Sequence, residues 1–273
     1  MDIPSLFSLQ DKVAVITGGS GILGGAIARG FADSGASVVI LGTNAAKSRQ
    51  AAASLKTPEG RTAAFACDVT NEEQLTGIRS SIIERYGRID ILVNAAGGNR
   101  PGATIAPSQS VFDLNITEFK TVTDLNFVGT VLPTLVFGRP MAEQGTGSII
   151  NISSVASVRT LSRVVGYAAA KAAVDNFTRW MAVELASRFG SGLRVNAIAP
   201  GFFLTEQNRT LLQDPDGTLT ERGKSIVRMT PFGRLGDPSE LIGTAVWLAS
   251  DASSFVTGAV VPVDGGFIAN SGV

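Results

Sequence analysis

Short apolar runs recur along this chain, and longer segments of helical period lie between most of them. Lys12–Thr17, Ser37–Gly42, Arg61–Cys67, Ile89–Asn94, Ser148–Ser153, Leu193–Ala199 and Ala259–Val263 read as strands, most of them apolar on both faces. Leu23–Ser34, Ala45–Leu55, Glu72–Tyr86, Ile116–Phe137, Tyr167–Phe189 and Glu240–Ala249 carry the helical pattern. A strand that hides both faces needs a covering layer on each side. The alternation therefore predicts an α/β fold, a doubly wound sheet of seven parallel strands with helices on both faces. With no repeat, low-complexity stretch or linker, we expect a single domain over residues 1–273. Two segments break the alternation: Gly98–Asn115, rich in Pro, Gly and Ser, and the long, partly polar Gly201–Asp237. Both would emerge at the carboxyl ends of strands, where such sheets bind ligands. We read 201–237 as a substrate-loop insertion.

Composition narrows the chemistry. Apolar residues make up 44% and charged residues 17% of the 273, which suits a sizeable core. Net charge is zero with no basic run, so neither nucleic acid nor an anionic membrane is expected as a partner. No apolar stretch reads as long enough to cross a bilayer, and Met1–Gln10 lacks the basic start and apolar core of a signal peptide. Cys67 is the only cysteine, which fits a reducing compartment, and we expect a cytoplasmic protein. There is no histidine. That removes Ser-His-Asp and Cys-His catalysis and, with one soft ligand available, argues against a metal site. Acid/base work near neutral pH is left to a carboxylate, a lysine or a tyrosine.

The turn after the first strand runs Thr17-Gly18-Gly19-Ser20-Gly21-Ile22-Leu23-Gly24-Gly25. Glycines there allow a tight turn and a close approach to a pyrophosphate, while the following helix offers free N–H groups and a positive dipole end. This placement predicts a dinucleotide site of Rossmann type, with Gly18, Ser20, Gly21, Ile22, Leu23 and Gly24 around the phosphates. Asp68, next to Val69 at the end of the third strand, has an acceptor for an adenine amino group, or serves as a turn residue before a helix. The second strand ends in Leu41-Gly42-Thr43-Asn44, with neither the acid that bonds a ribose 2′-hydroxyl nor an arginine for a 2′-phosphate. Thr43 and Asn44 have hydrogen-bonding groups for a ribose but no charge to balance a phosphate, which favours NAD(H) over NADP(H).

Tyr167 and Lys171 are four apart at the start of a predicted helix and share its face, so a positive charge would pull the phenol down from about 10. Ser154 ends the strand before it, where a hydroxyl meets a substrate at the sheet's carboxyl edge. Asn126 is an amide inside an apolar helix, and Asn94-Ala95-Ala96-Gly97 closes the fourth strand with small residues. Together with the glycine turn and Pro200-Gly201-Phe202-Phe203-Leu204-Thr205, these elements resemble the short-chain dehydrogenase/reductase superfamily over nearly the whole chain. The resemblance implies an NAD(P)-dependent oxidoreductase in which Tyr167 transfers the proton, Lys171 tunes it and holds the nicotinamide ribose, and Ser154 bonds the substrate oxygen. Asn126 would carry a water-linked proton path. Asn94, Ala95 and Gly97 would border the cofactor, and Pro200, Gly201, Phe203 and Thr205 would position the nicotinamide. One departure stands out: Ile22 occupies the family's second glycine, with Gly21 one residue earlier.

Ala96–Pro101, Asp124–Thr130, Ala199–Arg209 and the ending Val263-Asp264-Gly265-Gly266-Phe267 to Ser271-Gly272-Val273 resemble a narrower group, the short-chain mannonate/fructuronate oxidoreductases. That resemblance implies a sugar-acid substrate. A carboxylate needs a cation, and Arg100, Arg159 and Arg163 are the candidates. Asn99, Gln207 and Asn208 are candidates for sugar hydroxyls. Gluconate 5-dehydrogenase or 3-oxoacyl thioester reductase activity is the alternative, as is a non-catalytic dinucleotide-binding regulator. The long apolar helices and the resemblance make a homotetramer the expected assembly.

Overall fold

In the computed structural model, which describes residues 2–206 and 208–272, the strands β1 (Val13–Thr17), β2 (Ser37–Gly42), β3 (Thr62–Ala66), β4 (Ile91–Asn94), β5 (Gly147–Ile152), β6 (Leu193–Pro200) and β7 (Val260–Val263) form one sheet. Every neighbouring pair is parallel, in the order β3-β2-β1-β4-β5-β6-β7. The helices are α1 (Ile3–Leu6), α2 (Ile22–Asp33), α3 (Ala45–Ala53), α4 (Glu72–Tyr86), α5 (Ile116–Thr123), α6 (Gly129–Gln144), α7 (Val165–Phe189), α8 (Arg209–Leu212), α9 (Glu221–Met229) and α10 (Ile242–Ala249). The expected doubly wound sheet is what the chain forms.

The strands need two covers because successive side chains point to opposite faces. Ala14 and Ile16 of β1 join Ile27 and Phe31 of α2 and Leu248 of α10 in one core layer. Val13 and Val15 of the same strand join Leu75 and Ile82 of α4, Phe137 of α6 and Leu185 of α7 in the other. The fully buried Ile16, Ile27, Phe31, Leu75, Ile82 and Phe137 each contribute about 1.5–3 kcal/mol of apolar burial. The helices have local reasons to start and stop. Asn71 caps α4 by accepting from the Gln74 N–H at 3.0 Å, Glu72 and Glu73 lie in its first turn, and Gly87 ends it at φ 74°.

Connections leave β1 toward β2 and β3 on one side and continue from β4 on the other. Thr17 stands beside Asn94 across this reversal. The crevice outside the carboxyl ends of these two strands is where a doubly wound sheet holds a ligand.

Four expectations change. The helix expected over Ile116–Phe137 extends to Gln144 as α5, a π-helical turn at Asp124–Val128, and α6. By length and composition this run, Ile116–Gln144, is apolar enough to cross a bilayer, contrary to the expectation that no stretch would be. Half of its most apolar window is buried inside the fold, as in the core helix of a packed sheet. The segment 201–237 contains two helices, α8 and α9, rather than loop alone. The last helix opens as a 3₁₀ turn at Pro238–Leu241 before α10.

Candidate active site

The turn from β1 into α2 brings two backbones together. Gly18 has φ 64°, and a methyl group there would lie 2.7 Å from the Ala95 carbonyl oxygen. One at Gly24 would lie 2.5 Å from the Gly18 oxygen. Thr17 Oγ1 accepts from the Ala95 and Ala96 N–H groups at 3.1 Å, binding the end of β4 to the turn. Gly21 caps α2 without a side-chain hydrogen bond, so the helix enters with its first N–H groups unfilled and its positive end open. Ile22 is the first helical residue, followed by Leu23, which lines the cleft. These features fit a pyrophosphate: a cradle that only glycine permits, beside donors that lack acceptors.

The outer positions are less committed. Ser20 Oγ packs beside Gly42 at the end of β2. Thr43 is exposed, and Asn44 caps α3 by accepting from the Lys47 N–H at 3.0 Å. Lys47 itself reaches across to Glu206 at 2.8 Å. Asp68 is exposed and accepts from the Thr70 N–H and hydroxyl, while Val69 is buried against Gly129. Asn94 is buried and turns its amide inward, donating to Thr134 Oγ1 and Asn151 Oδ1 at 2.9 Å.

Tyr167 and Lys171 project from one face of α7, with Lys171 Nζ 5.7 Å from the phenol ring centre. Lys171 is buried and donates to the Ile152 carbonyl at 2.7 Å. Of the two serines after β5, Ser153 spends its hydroxyl on Asp175, and Ser154 hydrogen-bonds Tyr167. Burial pushes the Tyr167 phenol above its ordinary value, and the Ser154 hydrogen bond opposes this. A phenol pulled down by Lys171 was expected; here desolvation prevails. Burial lowers Lys171 to about 8, against the raising effect of Asp175. Asp175 lies two turns beyond Tyr167 on the same face, a spacing visible in the sequence.

Asn126 sits fully buried in the π turn, a helix irregularity common at functional sites. Its amide donates to the Gly98 and Val122 carbonyls at 2.7 and 2.8 Å and accepts from the Gly98 N–H at 3.0 Å. The side chain thus pins Gly97–Gly98. A methyl at Gly97 would fall 2.6 Å from Asn126 Oδ1 and 3.3 Å from Lys171 Nζ.

Leu23, Ala95, Gly97, Ser154, Tyr167 and Lys171 border a cleft of about 530 Å³ at the carboxyl edge of the sheet, within the range of small-molecule sites. Pro200, Gly201, Phe203 and Thr205 form one wall. Phe203 is buried, and Asn208 binds this wall together by donating to the Phe203 carbonyl and accepting from the Thr205 N–H. Asn99 lines the cleft and donates to Thr104. Arg100 lines it too, 3.5 Å from Glu118. Arg159 is not among its lining residues, whereas Arg163 is, and so is Arg222 of α9, which sequence reasoning missed. Gln207 lies outside the described residues.

Residues 19–268 match the family model described as enoyl-(acyl carrier protein) reductase. An uncharacterized oxidoreductase of Bacillus subtilis, UxuB, is 44% identical over 280 residues, covering 99% of this chain and all of that protein. The chain belongs to the short-chain dehydrogenase/reductase family. A short-chain dehydrogenase/reductase from Haemophilus influenzae, provisionally described as a D-mannonate oxidoreductase and solved with bound NAD, superposes with a TM-score of 0.90 at 38% identity over the full length of both chains. A gluconate 5-dehydrogenase from Burkholderia cenocepacia, solved with NADP and tartrate, gives 0.87 at 34% identity, covering 98% of this chain and 99% of that one. As a short-chain dehydrogenase/reductase, this protein is an NAD(P)-dependent oxidoreductase of alcohols and ketones.

Proposed function

We propose that the enzyme interconverts a secondary alcohol and a ketone on a sugar acid of the fructuronate/mannonate kind. The observation that carries the chemistry is the convergence of Tyr167, Ser154 and Lys171 on one cleft beside the glycine turn. The provisional name of the Haemophilus neighbour supports the substrate. The gluconate 5-dehydrogenase neighbour supports a second reading, reduction of a ketogluconate.

Gly18, Ser20, Gly21, Ile22, Leu23 and Gly24 hold the dinucleotide phosphates. Thr43 and Asn44 meet the adenosine ribose, with Asp68 and Val69 beside the adenine. Asn94, Ala95 and Gly97 border the central backbone, and Pro200, Gly201, Phe203 and Thr205 flank the nicotinamide. When bound, the cofactor supplies or accepts the hydride. Tyr167 donates its proton to the substrate oxygen in reduction and removes it from the alcohol in oxidation. Ser154 bonds the same oxygen and stabilises the charge that develops on it. The Lys171 charge stabilises the phenolate left after donation. Asn126 fixes Gly97–Gly98 beside Lys171, where its amide would support a water-linked proton path to the ammonium.

NAD(H) is the favoured cofactor. The cation nearest the ribose position in sequence, Lys47, is engaged with Glu206, and Thr43 and Asn44 are neutral. The segment 201–237 serves as the substrate loop. Exposed Leu135 on α6 and Trp180 and Val183 on α7 support a homotetramer assembled through these helices. A cofactor-oxidation assay over keto-uronates, ketogluconates and a 3-oxoacyl thioester, with NADH and NADPH in parallel, tests the reading. Turnover of a keto-uronate with NADH is expected. Brisk thioester reduction beside inert keto acids would sink it.

A further inference from the structure

The cleft is lopsided in charge although the chain is neutral overall. Its lining includes Arg100, Arg163, Lys171 and Arg222 and, among the described residues, no Asp or Glu. Two of these cations have a counter-charge behind the wall. Arg100 stands 3.5 Å from Glu118, and Lys171 is acted on by Asp175. Arg163 and Arg222 have no carboxylate within ion-pair distance among the described residues.

We propose that Arg163 and Arg222 form a two-guanidinium clamp for the carboxylate of the substrate, opposite the carbonyl held at Tyr167. This rests on the sugar-acid reading and names the residues that would impose it. The two residues are far apart in sequence, yet the Arg222 guanidinium donates to Ser162 Oγ at 3.4 Å, the neighbour of Arg163. Both are half-buried, so each has lost part of its hydration. Burial, and after it the nearby charge of Arg163, lower the Arg222 pKa.

Local structure holds each guanidinium where it costs something. Arg163 has φ 75°, a left-handed conformation rare for a residue with a long side chain. A two-way contact with the 98–115 segment keeps it there: Ile105 N–H donates to the Arg163 carbonyl at 3.1 Å, and Arg163 Nε donates to the Ile105 carbonyl. That use of Nε leaves the terminal nitrogens for a ligand. Arg222 is the second residue of α9, after the Thr220 cap, at the helix end whose dipole disfavours a cation. An anion between the two would relieve both the mutual repulsion and the dipole conflict. It would also draw α9 of the substrate segment onto the loop between β5 and α7, so a carboxylate would help to close the cleft over its own carbonyl.

The test compares the keto acid that the enzyme turns over best with the primary amide of the same compound, which keeps the carbonyl and hydroxyls but loses the charge. For Arg222→Met, kcat/KM on the acid should fall roughly ten- to hundredfold, mainly through KM, and on the amide by at least tenfold less. Arg222→Lys should recover part of the loss, since it keeps charge without the planar fork. An equal loss on acid and amide, or an unchanged KM for the acid in Arg222→Met, overturns the clamp while leaving the sugar-acid reading intact. A wild-type enzyme that turns over no keto acid overturns both.

Discussion

At Tyr167 the surroundings pull in opposite directions. Burial raises the phenol, the Ser154 hydrogen bond lowers it, and a buried ammonium stands one turn away. Tyr167→Phe removes the proton and little else, so turnover should fall by about 10²–10⁴-fold. Dinucleotide binding, followed by fluorescence titration, should survive. Full activity in that variant would refute the mechanism. Lys171 titrates at about 8, so its charge is present below that pH and lost above it. Its other neighbours are neutral: the Ile152 carbonyl at the end of β5, Gly97 after β4, and Tyr167 on its own helix. Asp175 is the charged group that favours the ammonium, so Asp175→Asn should lower Lys171 further and move the alkaline limb of the kcat/KM profile toward lower pH. Loss of activity with an unmoved limb would reduce Asp175 to a packing partner of Ser153.

At the scale of elements, the β1–α2 turn combines a left-handed glycine, a close backbone approach and an uncapped helix start. Gly18→Ala places a methyl against the Ala95 carbonyl and strains φ by about 1–2 kcal/mol. Dinucleotide affinity should weaken roughly tenfold or more, read by the same titration. An unaltered affinity would mean the crevice is built differently. This turn was legible because its chemistry is local: glycines in sequence between a strand and a helix need no distant partner. The strands were legible for a similar reason, since continuous Val and Ile runs such as Val13–Thr17 have one stable use in a doubly covered sheet. Within 201–237 that logic failed. α9 has only nine residues, with Ile226 as its one buried large apolar side chain, and lies between Gly217 and Pro231, so it offers too little period to separate helix from loop. Arg222 and Arg163 meet through tertiary folding alone, and no spacing along the chain announces it. Arg159, closer to Ser154 in sequence, looked better placed and does not line the cleft.

At the scale of the whole molecule, the layered core accounts for both faces of the sheet but leaves an apolar strip uncovered along α6 and α7. Trp180→Glu should convert a tetramer into smaller species by light scattering if that strip is a subunit contact. An unaltered mass would place the contact elsewhere. Cys67 bears on how such changes could be followed. It is the only thiol, it is buried, and burial with the neighbouring Asp68 raises it to about 11. A shielded thiol that stays protonated at neutral pH is a poor nucleophile, so maleimide reagents should pass it by. The natural chain is therefore a silent background for labelling. A dye on Lys224→Cys, at the exposed surface of α9, would be the sole reporter in the molecule and would show in real time whether that helix swings inward as a keto acid arrives.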